Sequence, residues 1–181
     1  MTTTISGSTG IDKVQAGAVT RDKLPVGTVL QVVQVVKTDT FSTTSASFVD
    51  VTGLSASITP TSTTSKILVT VQVVHGTANA AVQQFRLTRG GSAIAVGASA
   101  GSRTPTTFAG YYGASDYISH LASSIVSYLD SPASTSSQTY TVQTKVQGTN
   151  TQYINRSNAD ADNNDYGTRS ISTITITEIA A

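Results

Sequence analysis

Between positions 158 and 167 the chain reads NADADNNDYG, which places Asp160, Asp162, Asn163, Asn164 and Asp165 in one short stretch. Hard cations such as Ca²⁺ take six to eight oxygen ligands from residues of this kind. Asp160, Asp162 and Asn164 match the first three ligand positions of a calcium-binding loop. The obligatory glycine of that loop then falls on Asp165 and its terminal glutamate on Ile171, so the pattern is broken. Asp and Asn also favour turns, because their side chains bond the nearby backbone and tolerate left-handed geometry. The expectation is therefore a turn and no metal, with Asp160, Asp162, Asn164 and Asp165 as the weak candidate ligands.

Other chemistry is sparse. His75 and His120 are the two histidines, and cysteine is absent, which removes thiol nucleophiles, thiolate metal sites and disulfides. The many serines lack a G-x-S-x-G elbow, and no phosphate-binding or dinucleotide fingerprint occurs. A glycan hydrolase needs a carboxylate pair at a defined separation, and the ten acidic residues suggest no such pair. The expectation is a protein without catalytic residues or cofactors. One stretch suits partner or sugar contact: RTPTTFAGYYGASDY (103–117), where Phe108, Tyr111, Tyr112 and Tyr117 stand among small residues. The competing expectation is that some of these aromatics belong to the core.

The elements that hold these residues read as strands. Charged residues are 12 % of the 181-residue chain, against roughly 25 % in an average soluble domain. Ser and Thr make up about three residues in ten, replacing charge as the solvating groups. The formal charge of +1 argues against a nucleic-acid binder, which needs a basic patch, and no apolar run is long enough to span a membrane. GTVLQVVQVVK (27–37) carries Val29, Val33 and Val35 on one face and Leu30, Val32 and Val36 on the other. A strand apolar on both faces is buried on both or lies between chains. ASFVDVTGLSASITP (46–60) alternates with a break at Gly53, as a bulge would give. KILVTVQVVH (66–75) alternates cleanly, and VQQFRLTRGGSAIAVG (82–97) is a hairpin turning at Gly90-Gly91. HLASSIVSYLDSP (120–132) fits helix or strand spacing, and strand is preferred. SQTYTVQTKVQ, TQYINR and RSISTITITEIAA complete the set.

Eight or nine short strands predict an all-β fold: a two-sheet antiparallel sandwich, jelly-roll-like, over residues 29–181. Its expected core is Val33, Val35, Phe48, Ile58, Leu68, Val69, Val71, Phe85, Leu87, Leu129, Tyr140, Val142, Ile174 and Ile176. Residues 1–28 read as an extended arm. Ile5, Ile11, Val14, Val19 and Leu24 are irregularly spaced apolar pegs among Gly, Ser and Thr, a pattern that needs another surface to bury them.

ISGSTGIDKVQAGAVTRDKL (5–24) resembles the leader that opens many tail-fibre and other virion structural proteins of tailed bacteriophages. FSTTSASFVDVTGLSASITPTSTTSKILVTVQVV (41–74) and YINRSNADADNNDYGTRSISTITITEIAA (153–181) are similar to the β-sandwich body that follows such leaders, while residues 75–120 match loosely. The resemblance implies a non-enzymatic protein on the outside of the virion, a homotrimer held to capsid or to tail and baseplate proteins, as capsid decoration (cement) or short fibre. A receptor-binding module that recognises a host-surface glycan is the alternative.

Overall fold

The computed structural model describes residues 19–78, 81–112, 119–165 and 167–181. After a single 3-10 turn at Arg21–Lys23 the described residues form strands: β1 (Val29–Lys37), β2 (Phe41–Thr43), β3 (Val49–Ile58), β4 (Lys66–Thr77), β5 (Ala81–Arg89), β6 (Ser92–Ile94), β7 (Phe108–Tyr112), β8 (Ala122–Asp130), β9 (Gln138–Lys145), β10 (Gln152–Ile154) and β11 (Ser172–Ile179).

With the three-residue strands β2, β6 and β10 set aside, eight remain, and all their pairings are antiparallel. The first pairs the eighth (β1 with β11), the second the seventh (β3 with β9), the third the sixth (β4 with β8) and the fourth the fifth (β5 with β7). This is one long nested hairpin. Wrapping it brings β11 against β4 and β9 against β5. Two four-stranded layers result, β1-β11-β4-β8 and β3-β9-β5-β7, with β10 and β2 extending the first and β6 flanking the second. The molecule is a two-sheet jelly roll.

Side-chain alternation explains the layers. Ile67, Val69, Val71 and Val73 of β4 are fully buried and meet Phe85, Leu87, Tyr140 and Val142 of the facing sheet, with Ile174 and Ile176 alongside. Val33 and Val35 pack half-buried against this cluster. Three expected core residues lie elsewhere. Leu68 alternates out of phase with Ile67 and Val69 and is half-buried on the outer face, and Leu129, its partner on β8, is 51 % exposed. Ile67 fills the core place expected of Leu68. Phe48 is half-buried beneath the guanidinium of Arg86, 3.9 Å from its ring centroid, outside the central cluster.

Two backbone devices shape the strands. Gly53 has φ of 82° where the β3–β9 register breaks between Asp50 and Ser55, a bulge that needs the left-handed region glycine enters freely. Gly90 and Gly91, at φ 55° and 82°, join β5 to β6, the positive pair that a tight hairpin turn requires.

Polar ties lock the frame. Asp130 on β8 accepts hydrogen bonds from Arg89 of β5 (2.6 Å) and the hydroxyl of Tyr140 of β9 (2.7 Å), so one carboxylate joins both sheets. Burial, followed by the bond to Asp130, pushes the Tyr140 hydroxyl pKa well above its ordinary value. Asn155, at φ 63°, donates to the carbonyls of Lys37 (2.8 Å) and Asp39 (2.9 Å) and accepts from Ser172 Oγ (2.6 Å). Ser172 Oγ in turn accepts from the Val74 amide.

Candidate functional site

Of the five apolar pegs expected in the N-terminal arm, Ile5, Ile11 and Val14 lie outside the described residues. Val19 is 62 % exposed and Leu24 is half-buried. This segment reaches the domain where β1, β4 and β11 end. Arg21 donates to Ser65 Oγ (2.9 Å), and Gly27 and Ala180 join β11 to the start of β1 through the bonds Gly27 N–H to Ala180 O and Ala180 N–H to Thr28 O. Glu178, fully buried below, accepts from Ser65 Oγ, Thr61 Oγ1 and the Thr61 amide on one oxygen and from Gln31 on the other. Burial alone would raise its pKa, but the bonds from Ser65, Thr61 and Gln31 outweigh that and hold it below the ordinary value. The chain thus enters the sandwich at a rigid, hydrogen-bonded corner.

The aromatic stretch divides. It contributes a strand, β7, rather than a loop alone. Phe108 stacks on Phe85 with centroids 4.8 Å apart and packs on the core. Tyr111 is 69 % exposed. Tyr112 ends the strand, and Tyr117 lies outside the described residues.

In the acidic stretch, Asp160 is taken by arginine. Arg169 grips both its oxygens (2.8 and 2.7 Å), and Arg156 approaches to 3.8 Å. Asp162, Asn164 and Asp165 are exposed, and Asn163 Oδ1 accepts from the Asp165 amide in a local turn. Among the described residues no three of His, Cys, Asp and Glu gather as a metal group would.

His75 closes the run 66–75 read as a strand from the sequence; in the structure the strand continues to Thr77, and His75 lies within it fully buried, with its ring 5.1 Å from that of Phe85 and Nε2 2.8 Å from Ser124 Oγ. Burial drives its pKa down to about 4. A serine beside an imidazole is the geometry of nucleophile and base, but a triad also needs a carboxylate to orient the ring. Five described carboxylates serve other partners: Asp39 binds Lys37, Asp50 binds Gln143, Asp130 binds Arg89 and Tyr140, Asp160 binds Arg169, and Glu178 holds the corner at Ser65, while Asp162 and Asp165 stand exposed in the turn of residues 158–167. His120 is exposed.

The feature least visible in advance is the outward face of the β1-β11-β4-β8 sheet. Val32 and Val36 stand 58 % and 44 % exposed on β1, and Ile125 and Leu129 64 % and 51 % exposed on β8. The valines on both faces of β1 were the one sequence signal for it. Among the described residues no helix is long and apolar enough to cross a membrane. No model of a known protein family matches the chain, and comparison with curated proteins finds no match.

Proposed function

We propose that this protein is a non-enzymatic structural component of a bacteriophage virion. In this reading it is an exterior homotrimeric sandwich, held to the particle by residues 1–28, that decorates the capsid or forms a short fibre. The observation that carries the reading is the aliphatic outer face of the β1-β11-β4-β8 sheet, because large apolar groups grouped on one exposed face of a jelly roll mark a surface made to be covered. The resemblance of residues 5–24 to phage leaders supports the particle as the setting, and the hydrogen-bonded corner at Arg21, Ser65 and Gly27 supports a fixed exit for an anchoring segment. Protein that begins at Thr28 is expected to fold but to leave particles lacking the native protein undecorated, while the full chain attaches. Equal attachment by both would remove the anchoring role.

A second reading, a module that binds a host-surface glycan, draws on Tyr111, whose ring stands exposed at the end of β7. A glycan array separates the two. Specific binding lost in Tyr111→Ala favours the receptor role, and a blank array favours decoration.

A further inference from the structure

We propose that the outer face of the β3-β9-β5-β7 sheet binds an anionic saccharide: Arg86 and Lys145 take its carboxylate or sulfate group, Gln84 a hydroxyl and Tyr111 a ring face. The inference rests on the glycan reading above and names the class of sugar and the residues that select it. Alternation fixes the cluster. Phe85 and Leu87 of β5 and Val142 and Thr144 of β9 are fully buried between the sheets, so Gln84, Arg86 and Lys145 face the other way. The register sets Lys145 opposite Gln84 and Arg86 opposite Gln143, which makes the two cations diagonal neighbours on adjacent strands. Both converge on one ring: the Arg86 guanidinium lies 3.9 Å and Lys145 Nζ 5.5 Å from the centroid of Phe48. Like charges so placed on a sheet repel, and among the described residues neither has a carboxylate within ion-pair distance. Asp50, the acidic side chain of this face, accepts from Gln143 (2.8 Å), which stands between it and Arg86 in the row. An oxyanion seated at both cations would remove their repulsion.

The cations are positioned in advance. Arg86 Nε donates to the Pro105 carbonyl (3.2 Å) and Lys145 Nζ to Thr104 Oγ1 (3.3 Å). The segment carrying Thr104 and Pro105 is itself tied to β5 at Thr107, whose amide donates to the Phe85 carbonyl and whose hydroxyl accepts from the Leu87 amide and donates to the Ile94 carbonyl. Arg86 thus keeps its two terminal nitrogens for a ligand, the planar fork that pairs with an oxyanion through parallel bonds, and little ordering is left for binding to cost. Gln84 gives an independent sign. Its side chain is 9 % exposed and its Oε1 has no hydrogen-bond partner among the described residues, a condition buried carbonyl oxygens rarely keep. It lies in the row of Lys145 and two residues along β5 from Arg86, where a hydroxyl beside the bound oxyanion would donate to it. The next residue in that row is the small, exposed Ala109, and Tyr111 follows on β7, 69 % exposed. Two strand spacings of ~4.8 Å and two rises of ~3.3 Å set Tyr111 roughly 12 Å from Lys145, a distance that a short oligosaccharide spans. The tyrosine ring offers a flat apolar surface to a sugar. An oxyanion, a hydroxyl and a ring face are together the groups of an acidic sugar.

The test applies the full chain to an array of neutral, carboxylated and sulfated glycans, followed by calorimetric titration with sialyllactose, a glucuronate disaccharide, a sulfated disaccharide and lactose. Binding is expected to acidic members and not to lactose, and it should be weaker at about 0.5 M than at about 0.05 M NaCl. The carboxylated and sulfated arms decide which oxyanion the cations take. Arg86→Gln and Lys145→Gln are each expected to weaken binding about tenfold or more, because each removes a charge-assisted bond. Gln84→Met, similar in shape but without the acceptor, should weaken it less, and Asp50→Asn should not weaken it. If Arg86→Gln loses its β circular-dichroism spectrum, Lys145→Gln and the salt dependence of the wild type still decide. Binding to neutral glycans alone overturns this site and leaves the glycan reading standing. So does binding to acidic glycans that is undiminished in Lys145→Gln and Arg86→Gln. A blank array with flat titrations overturns both.

Discussion

His75 makes the stability of this protein depend on pH in a defined window. Its folded pKa is about 4 and its ordinary value 6.5. A depressed folded pKa gives stability that is complete above 6.5 and lost as pH falls toward 4, because the unfolded chain binds a proton the buried ring refuses. At about 1.36 kcal/mol per unit the loss across that window is roughly 3 kcal/mol. Urea titrations of wild type and His75→Gln should diverge there, with the variant flat between pH 6.5 and about 5.5 and falling below that only with Glu178 and Asp39, whose pKa values are held low in the fold; parallel profiles would show that another group sets the slope. Tyr140→Phe should cost about 1.5–3 kcal/mol, because its hydroxyl is one of two donors to the buried Asp130 carboxylate. An unchanged urea midpoint would mean that Arg89 alone suffices. At this scale the sequence was least informative. A histidine after six alternating residues reads as a strand end, and its burial depends on Phe85 and Ser124, which are far off in the chain. The turn chemistry of Asp160 was legible, but its capture by Arg169 depends on a bridge between Arg156 and Arg169 that no local pattern announces.

Strand phase can be tested by two neighbouring substitutions. Ile67→Ala removes a fully buried side chain and should cost about 2–5 kcal/mol. Leu68→Ala, half-buried on the outer face, should cost less than about 1 kcal/mol. Equal losses would contradict the assigned faces. Alternation along β4 was plain in the sequence. Which of two apolar neighbours faces inward was settled by the rest of the strand, where Thr70 and Gln72 oppose Val69, Val71 and Val73. Strand β7 escaped notice because Gly110 interrupts its alternation. A Cβ at Gly110 would lie 2.7 Å from Cε1 of His75, so this position is kept small by a side chain of the facing sheet. Gly110→Ala should lower stability by about 1–3 kcal/mol, and a cycle with His75→Ala should recover part of that loss. Simple additivity would show that the two positions do not press on each other. The segment 120–132, open to helix or strand by spacing, forms a strand because β4 offers it a full antiparallel partner from Ile67 to His75.

At the scale of the whole molecule, the proposed function makes this chain one part of a larger assembly. Nested pairing of eight strands produces a jelly roll whose core is complete within one chain, yet whose β1-β11-β4-β8 sheet keeps aliphatic columns on its outer side. The valines on both faces of β1 pointed to this, since a strand apolar on both sides needs a second covering. Ile125 and Leu129 gave no such warning, because in sequence they are consistent with a core strand. The most direct measurement is the mass of the full-length protein by sedimentation equilibrium at micromolar concentration and moderate salt. The account predicts a single species of three times the 18.7 kDa chain mass, unchanged on dilution over a tenfold range. A species of 18.7 kDa under the same conditions would contradict it.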